Sequence, residues 1–329
     1  MKRIGLKLIT ASSLGIGVLG TTSAHAQLNL GYADDYAALV GGNNATFDMG
    51  GNSDIITGNV GIGQVTGTEG DHLTLNNGII TGVLDFVGTY NYNGQNNNQP
   101  TQNGQTFGGT VNGGYTQNNT TAASAINTVS GFSSAFGSLY NSAHAIAINT
   151  QNGVQTIDAA TAGTLEQNVT VNSVNYGSAY VVNINSLTLN NNSLTINDSG
   201  STKAVVLNVD VQSGEFNNGI NLAAGSGLNA NEVVINIIAS GEFQNAANGA
   251  VQSVTYIDEN NTMNVESTVD GHVFGGGGSG INFSVINGAQ ISDAGLSTVP
   301  EANTGLAALF LLLPLGGYLL QRSRKPAVQ

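Results

Sequence analysis

The chain of 329 residues contains no cysteine, which removes disulfides, thiolate nucleophiles and Cys-ligated zinc from consideration. Positive charge is almost as scarce. Of seven Lys and Arg, Lys2, Arg3 and Lys7 stand at one end and Arg322, Arg324 and Lys325 at the other, leaving only Lys203 between. Nineteen Asp and Glu lie between Gln27 and Thr298, so that stretch carries a net −18. A surface of that sign repels nucleic acid and anionic headgroups at physiological salt, and nucleic-acid binding is excluded. The carboxylates are scattered along the chain, a pattern that suits solubility better than collecting divalent cations.

Catalytic constellations are also missing. His72, His144 and His272 are far apart in sequence and none belongs to an HExxH arrangement. Asp71 beside His72 and Asp270 two residues before His272 are the only close acid–histidine neighbours, and they read as surface loop residues. No Gly-x-Ser-x-Gly elbow accompanies a plausible base. Gly275-Gly276-Gly277-Gly278-Ser279-Gly280 lacks a following Lys-Ser/Thr and a helix pattern, so it reads as a turn. Asp258-Glu259-Asn260-Asn261 reads as an isolated acidic turn and not as a calcium loop. No catalytic, cofactor-binding or metal-binding residue is assigned, and the expected chain is not an enzyme. Carboxylate pairs for sugar hydrolysis meet only in space, so a polysaccharide-active enzyme stays open as an alternative.

What is abundant is glycine, 46 residues, and asparagine, 44 residues, with only 8% charged side chains. This composition suits many short strands joined by tight turns in which Gly and Asn take positive φ. Tyr180-Val181-Val182-Asn183-Ile184, Val205-Val206-Leu207-Asn208-Val209 and Val233-Val234-Ile235-Asn236-Ile237 share a pattern of aliphatics around one Asn. Two copies continue alike, into Ser213-Gly214-Glu215-Phe216 and Ser240-Gly241-Glu242-Phe243. A repeat in the twenties fits one turn of a β-solenoid, each coil burying its apolar side on its neighbours; a hairpin-built β-sandwich is the alternative. Residues 90–119, nearly all Asn, Gln, Gly, Thr and Tyr, read as an exposed flexible loop. Ile126, Val129, Phe132, Phe136, Leu139 or Tyr140, and Ala143 recur at helical spacing, predicting one amphipathic helix over 121–145 that packs its apolar stripe on the strands.

The two ends read as address labels. Lys2, Arg3 and Lys7 precede an apolar run from Leu8 to Gly20, and Ala24-His25-Ala26 is a small-x-small site. Residues 1–26 are therefore an expected signal peptide, cut by signal peptidase between Ala26 and Gln27. At the other end Val299-Pro300-Glu301 precedes an apolar run over 305–320 and the cations Arg322, Arg324 and Lys325. Sixteen residues make about 24 Å of helix against a hydrocarbon core near 30 Å, and the cations would act as a cytoplasmic stop. Residues 299–329 thus resemble a PEP-CTERM sorting tail, with Ala302 where the family usually has a second Pro. The resemblance implies transient insertion in the inner membrane of a Gram-negative bacterium, processing near the motif by an exosortase-type transpeptidase, and exopolysaccharide as an expected partner.

The body, 27–298, has a resemblance of its own. Ala33-Asp34-Asp35-Tyr36-Ala37-Ala38-Leu39-Val40, then Gly58-Asn59-Val60-Gly61-Ile62-Gly63, Val273-Phe274-Gly275-Gly276 and Ile286-Asn287-Gly288-Ala289 are similar to bacterial ice-binding-like and choice-of-anchor A domains. That resemblance implies a mainly β chain, a right-handed β-solenoid flanked by a long helix. The expected function is an exported, non-enzymatic cell-surface or matrix structural protein. Ice or carbohydrate recognition by one solenoid face is the alternative, with Thr188 and Thr195 as candidate members of a threonine array.

Overall fold

Short runs of β-branched and aliphatic residues, broken every few positions by Gly or Asn, cannot propagate long strands, and the chain solves this by stacking many short ones. The computed structural model describes residues 28–292 except 43–45, 51–52, 64–72, 76–77, 89–108, 151–152, 190–191, 200–203, 212, 217, 240–241, 246–250, 259–261 and 276–281. The signal segment and the tail lie outside the described residues. The strands form an eleven-, a nine- and a six-stranded sheet and one two-stranded hairpin. In six circuits consecutive strands visit the three large sheets in turn, and in the others the described residues place no strand in the six-stranded sheet. Val233–Ile237 lies in the eleven-stranded sheet, Glu242–Asn245 in the six-stranded, Val251–Gln252 in the nine-stranded, and Thr255–Asp258 returns to the first. Each strand pairs in parallel with its counterpart one circuit on, as in Val234 with Thr255 and Tyr256 with Val273.

Among the described residues only the hairpin Thr170–Val171 with Val174–Asn175, and Thr164–Glu166 against Ala179–Thr188, are antiparallel. The hairpin-built sandwich is therefore excluded. The sequence repeat is real in space at one of its two parts. Asn183, Asn208 and Asn236 are direct register partners. The Ser-Gly-Glu-Phe copies are not, because Ser213 pairs with Glu242 and Glu215 with Gln244.

Spatial order departs from chain order. The last circuit, Val273–Gly275, Asn282–Val285 and Gln290–Ser292, pairs with the first, Tyr36–Val40, Thr46–Met49 and Ile55–Thr57. The interior joins them, with Phe47 stacked on Phe283 at 5.5 Å and Ile56 beside Ile291, all fully buried. At the corner leaving the nine-stranded sheet, Gly113 lies on Gly82 and Gly82 on Gly58. A Cβ on Gly82 would lie 2.4 Å from the Gly58 carbonyl oxygen, and one on Gly113 2.6 Å from the Gly82 carbonyl carbon. Only glycine fits that column.

The helix α1, Thr120–Gly137, is capped by Asn119, whose side chain accepts from the amides of Thr121 and Ala122. It stops earlier than the expected 121–145. After Gly137 the chain forms a short turn at Ser142–His144, capped by Asn141, and then the strand Ile146–Asn149. Ala143, expected on the apolar stripe, is exposed. The expected loop over 90–119 is also corrected at its end, for Thr110–Val111 and Tyr115–Thr116 are strands, with Val111 buried in the core.

Candidate binding face

The outer face of the eleven-stranded sheet is covered. Helix α1 packs on it through Ala122, Ala125, Val129, Phe132 and Phe136, against Leu39, Val206, Val234, Ile257 and Phe274. The buried asparagine ladder belongs to this seam. Asn208 Nδ2 donates to the Phe136 carbonyl at 2.7 Å, Asn236 Nδ2 donates to Asn208 Oδ1 at 2.8 Å, and Ser133 Oγ donates to Asn236 Oδ1 at 2.8 Å. At the opposite end of the sheet the Tyr36 hydroxyl donates to Asp85 at 2.8 Å, and Thr116 donates to the other carboxylate oxygen. Burial first, then Asp85, pushes the Tyr36 hydroxyl well above its ordinary pKa.

Helix α1 does not cover the nine-stranded sheet, since its apolar stripe lies on the eleven-stranded one. Side chains alternate across a strand, and here the inward row is Leu194, Ile220, Gln252, Val269, Ile291, Ile56, Ile80 and Val111, all buried. The outward positions form two rows running across the strands. One holds Thr156, Thr195 and Asn221, then Asp270, Ser292 and Thr57 in direct register. Ser253, one residue past Gln252, fills the step between Asn221 and Asp270, and Thr81, one past Ile80, extends the row beyond Thr57. The second row is Val251, Thr268, Gln290, Ile55, Ile79 and Thr110. Every member of both rows is exposed or half-buried.

Strand pairing sets the step along each row at about 4.8 Å. Asp270 is the only ionisable side chain in the two rows, and Asp158 stands outward on the same sheet beside Asn197. A body carrying −18 thus presents a face of low charge, with hydroxyls and amides in one line and methyl groups mixed into the next.

The six-stranded sheet is different in character. Asn264, Ser284 and Asp48 are half-buried register neighbours. Burial and the nearby Asp54 raise the Asp48 pKa above 3.8.

The residues singled out from the sequence separate accordingly when placed in space. Thr195 stands in the polar row, opposite Thr156. Thr188 does not, because it pairs with Asn149 in the eleven-stranded sheet. The two do not form one array. His272, expected at the surface, is fully buried, its Nδ1 2.7 Å from the Tyr36 carbonyl oxygen and its ring stacked on Phe274. His144 is exposed, with Nδ1 3.2 Å from Asn141 Nδ2. Asp258 is fully buried at a strand end instead of lying in an acidic turn. His72, the glycine run 276–280, Ala24, Ala26, Gln27, Val299, Pro300, Glu301, Arg322, Arg324 and Lys325 lie outside the described residues.

Among the described residues no group of three or more His, Asp or Glu is placed to hold a metal, and no helix is long and apolar enough to cross a membrane. Thr156, Asn221, Ser292 and Thr57 were not anticipated. Their signal was local, one polar residue beside or between buried aliphatics, as in Leu194-Thr195-Ile196 and Ile220-Asn221-Leu222.

Fold and face together define a parallel-β protein that displays a regular sheet surface of low charge. No protein-family profile matches the chain, and no curated protein matches it. Among solved structures it is similar to an ice-binding protein from an Antarctic Flavobacteriaceae bacterium, at 18% identity and TM-score 0.43, covering 83% of this chain and 50% of that one. It is also similar to the ice-binding protein of an Arctic yeast, at 13% identity and TM-score 0.46, covering 84% and 97%. A third is the ice-binding protein 1 domain of Shewanella frigidimarina, at 14% identity and TM-score 0.43, covering 82% and 98%. Likeness at this level assigns no function.

Proposed function

We propose that this chain is an exported, non-enzymatic β-solenoid whose nine-stranded sheet binds an ordered, extended surface, with ice as the partner. The observation that carries the reading is the pair of outward rows on that sheet, repeating at strand spacing with one ionisable group among them. Single hydroxyl or amide contacts with a hydrated partner contribute little each. A rigid row presents many of them together, already ordered, so the entropic cost of arranging them is met at folding and not at binding. Such a row favours a partner that is itself periodic, and frozen water supplies hydrogen-bonding sites in a fixed lattice. The Thr and Ile methyl groups add apolar contact without charge.

Export by the signal segment 1–26, handling by an exosortase-type transpeptidase at Val299-Pro300-Glu301, and display at the cell surface belong to the same proposal. So does the right-handed winding of the coils. The parallel circuits through three sheets support the solenoid, and the two terminal sequence patterns support the route.

An ice-recrystallisation assay tests the reading. The purified protein should keep ice grains small, and Thr57→Lys with Thr195→Lys should abolish the effect while leaving the thermal midpoint within a few degrees. Grain growth indistinguishable from buffer would reject ice. Retention of the wild type, but not the double variant, on a neutral polysaccharide column would then assign the same face to sugar.

A further inference from the structure

The two halves of the nine-stranded sheet differ in how close their outward positions lie to a carboxylate. Thr268–Asp270 is the middle strand. On one side of it lie Gln155–Asp158, Leu194–Asn197, Ile220–Leu222 and Val251–Gln252. On the other lie Gln290–Ser292, Ile55–Thr57, Ile79–Ile80 and Thr110–Val111. The first half is bordered by a carboxylate at each end, Asp158 on the edge strand and Asp270 at the middle. Thr195 is one strand from Asp158 and Asn221 two strands from Asp270, each within about 10 Å. Hydrogen bonds, first from the Ser199 side chain, hold the Asp158 carboxyl below its ordinary range, so it is charged.

The second half meets Asp270 at one border only. Thr81 lies three strands from Asp270, about 14 Å, and Asn112 four strands, about 19 Å. Both distances exceed the Debye length of about 8 Å. Asp54, next to Ile55 in the chain, is fully buried and accepts from the Gly288 amide at 2.8 Å, so it presents no charge to the face. Ile55, Thr57, Ile79, Thr81 and Thr110 carry methyl groups and are exposed or half-buried.

This half is also held in register at its corner. Thr57, Thr81 and Asn112 each precede one glycine of the column Gly58, Gly82 and Gly113. The Gly82 amide donates to the Gly58 carbonyl at 3.1 Å, and the Gly113 amide to the Gly82 carbonyl at 3.0 Å. The Gly58 amide donates to Thr81 Oγ1 at 3.1 Å, which fixes the orientation of that side chain.

A crystal of neutral molecules supplies no counterion. A carboxylate facing it keeps its own water, because stripping an unpaired charge costs far more than one hydroxyl contact returns. We infer that ice is engaged by the half that contains Thr57 alone, from Gln290–Ser292 to Thr110–Val111, and that Asp270 sets its border. The inference rests on the reading of this sheet as an ice-binding face, and it divides that face into a working and an idle part.

Three single variants of the full chain test the division in the recrystallisation assay: Ile79→Lys, Asn221→Lys and Asp270→Asn. Both lysines go to exposed positions, so each adds the same charge without opening the core. Ile79→Lys should raise the concentration that halves grain growth by about tenfold or more, and Asn221→Lys by less than about twofold. Asp270→Asn should lower it, since the uncharged stretch then runs on toward Asn221. Thermal midpoints identify a variant that fails to fold, in which case Asn112→Lys replaces Ile79→Lys and Thr195→Lys replaces Asn221→Lys. Equal losses in the two lysine variants would overturn the division while ice stood as the partner. Wild-type potency in Asp270→Asn would overturn the border. Wild-type protein that leaves grain growth as in buffer would reject ice itself, and the division with it.

Discussion

Asparagine in this protein has two unlike uses. On the nine-stranded sheet Asn221 is exposed, one more polar group in a row. At Asn208 and Asn236 the same side chain is fully buried and holds α1 through its carbonyls. A buried amide without partners costs roughly 1–3 kcal/mol, and the ladder with Ser133 and Phe136 removes that cost. Asp48 shows the opposite balance. Its Oδ1 is buried without a hydrogen-bond partner among the described residues, and burial with Asp54 nearby raises its pKa. A carboxyl whose folded pKa is raised favours folding below its unfolded value near 3.8, and that contribution is lost as pH rises through the folded value. Asp48→Asn should therefore unfold at higher denaturant than the wild type at pH 7. The gap should close by about pH 3, and urea midpoints at the two pH values would check it.

At the scale of elements, α1 is held by packing and not by propensity. Gly131 sits mid-helix, where Ala is better by about 1 kcal/mol in isolation. A Cβ there would lie 2.0 Å from the Tyr176 hydroxyl oxygen, so the glycine is the space that Tyr176 occupies. Tyr176 meets Phe132 edge-on at 5.8 Å, and Phe132 contacts Phe136 at 4.5 Å between centroids. Both phenylalanines are fully buried. Phe132→Ala should cost about 3–5 kcal/mol, the range for a large side chain deleted from a packed core. Chemical denaturation followed by circular dichroism would measure it. An unchanged midpoint would show that the helix is not needed to cover the eleven-stranded sheet.

At the scale of the whole molecule, the decisive feature is that the first circuit sits beyond the last. Residues 36–57 are bonded to 273–292 on one side and to 59–80 on the other. Through strand pairing the N-terminal circuits reach the rest of the stack by way of the C-terminal one, and helix α1 is the second bridge, packed on Leu39 as well as on Val206 and Val234. A chain ending at Gly271 retains most strands but loses that junction, exposing Phe47, Ile56 and Ala38 together with the unpaired edges of their strands. It should lose cooperative melting or aggregate, whereas removal of 293–329 should leave the melt cooperative. Differential scanning calorimetry of the two truncations separates these outcomes. Closing the junction only when both ends are present raises contact order, so folding is expected to be slow.

Composition and pattern alone determined the class of structure. With no cysteine, few charges and Gly and Asn at nearly every break, backbone pairing in short strands was the route open to the chain, and the shared Asn at 183, 208 and 236 marked one true register. The stripe through Val129, Phe132 and Phe136 marked the helix, because 3.6-residue periodicity is a local property. The rest depended on neighbours distant in sequence. Helix α1 ends at Gly137 although the apolar spacing runs on, and the chain beyond it pairs with the strand Ala179–Thr188. Val111 is core because it pairs with Ile80 one circuit back, and His272 is buried against Tyr36, more than two hundred residues away. The polar row joins Thr57 to Ser292 and Thr195 to Thr156, pairs separated by more than two hundred and by about forty residues. No local signal carries such a neighbour, because which strand lies beside which is settled only when the sheets close on a common core.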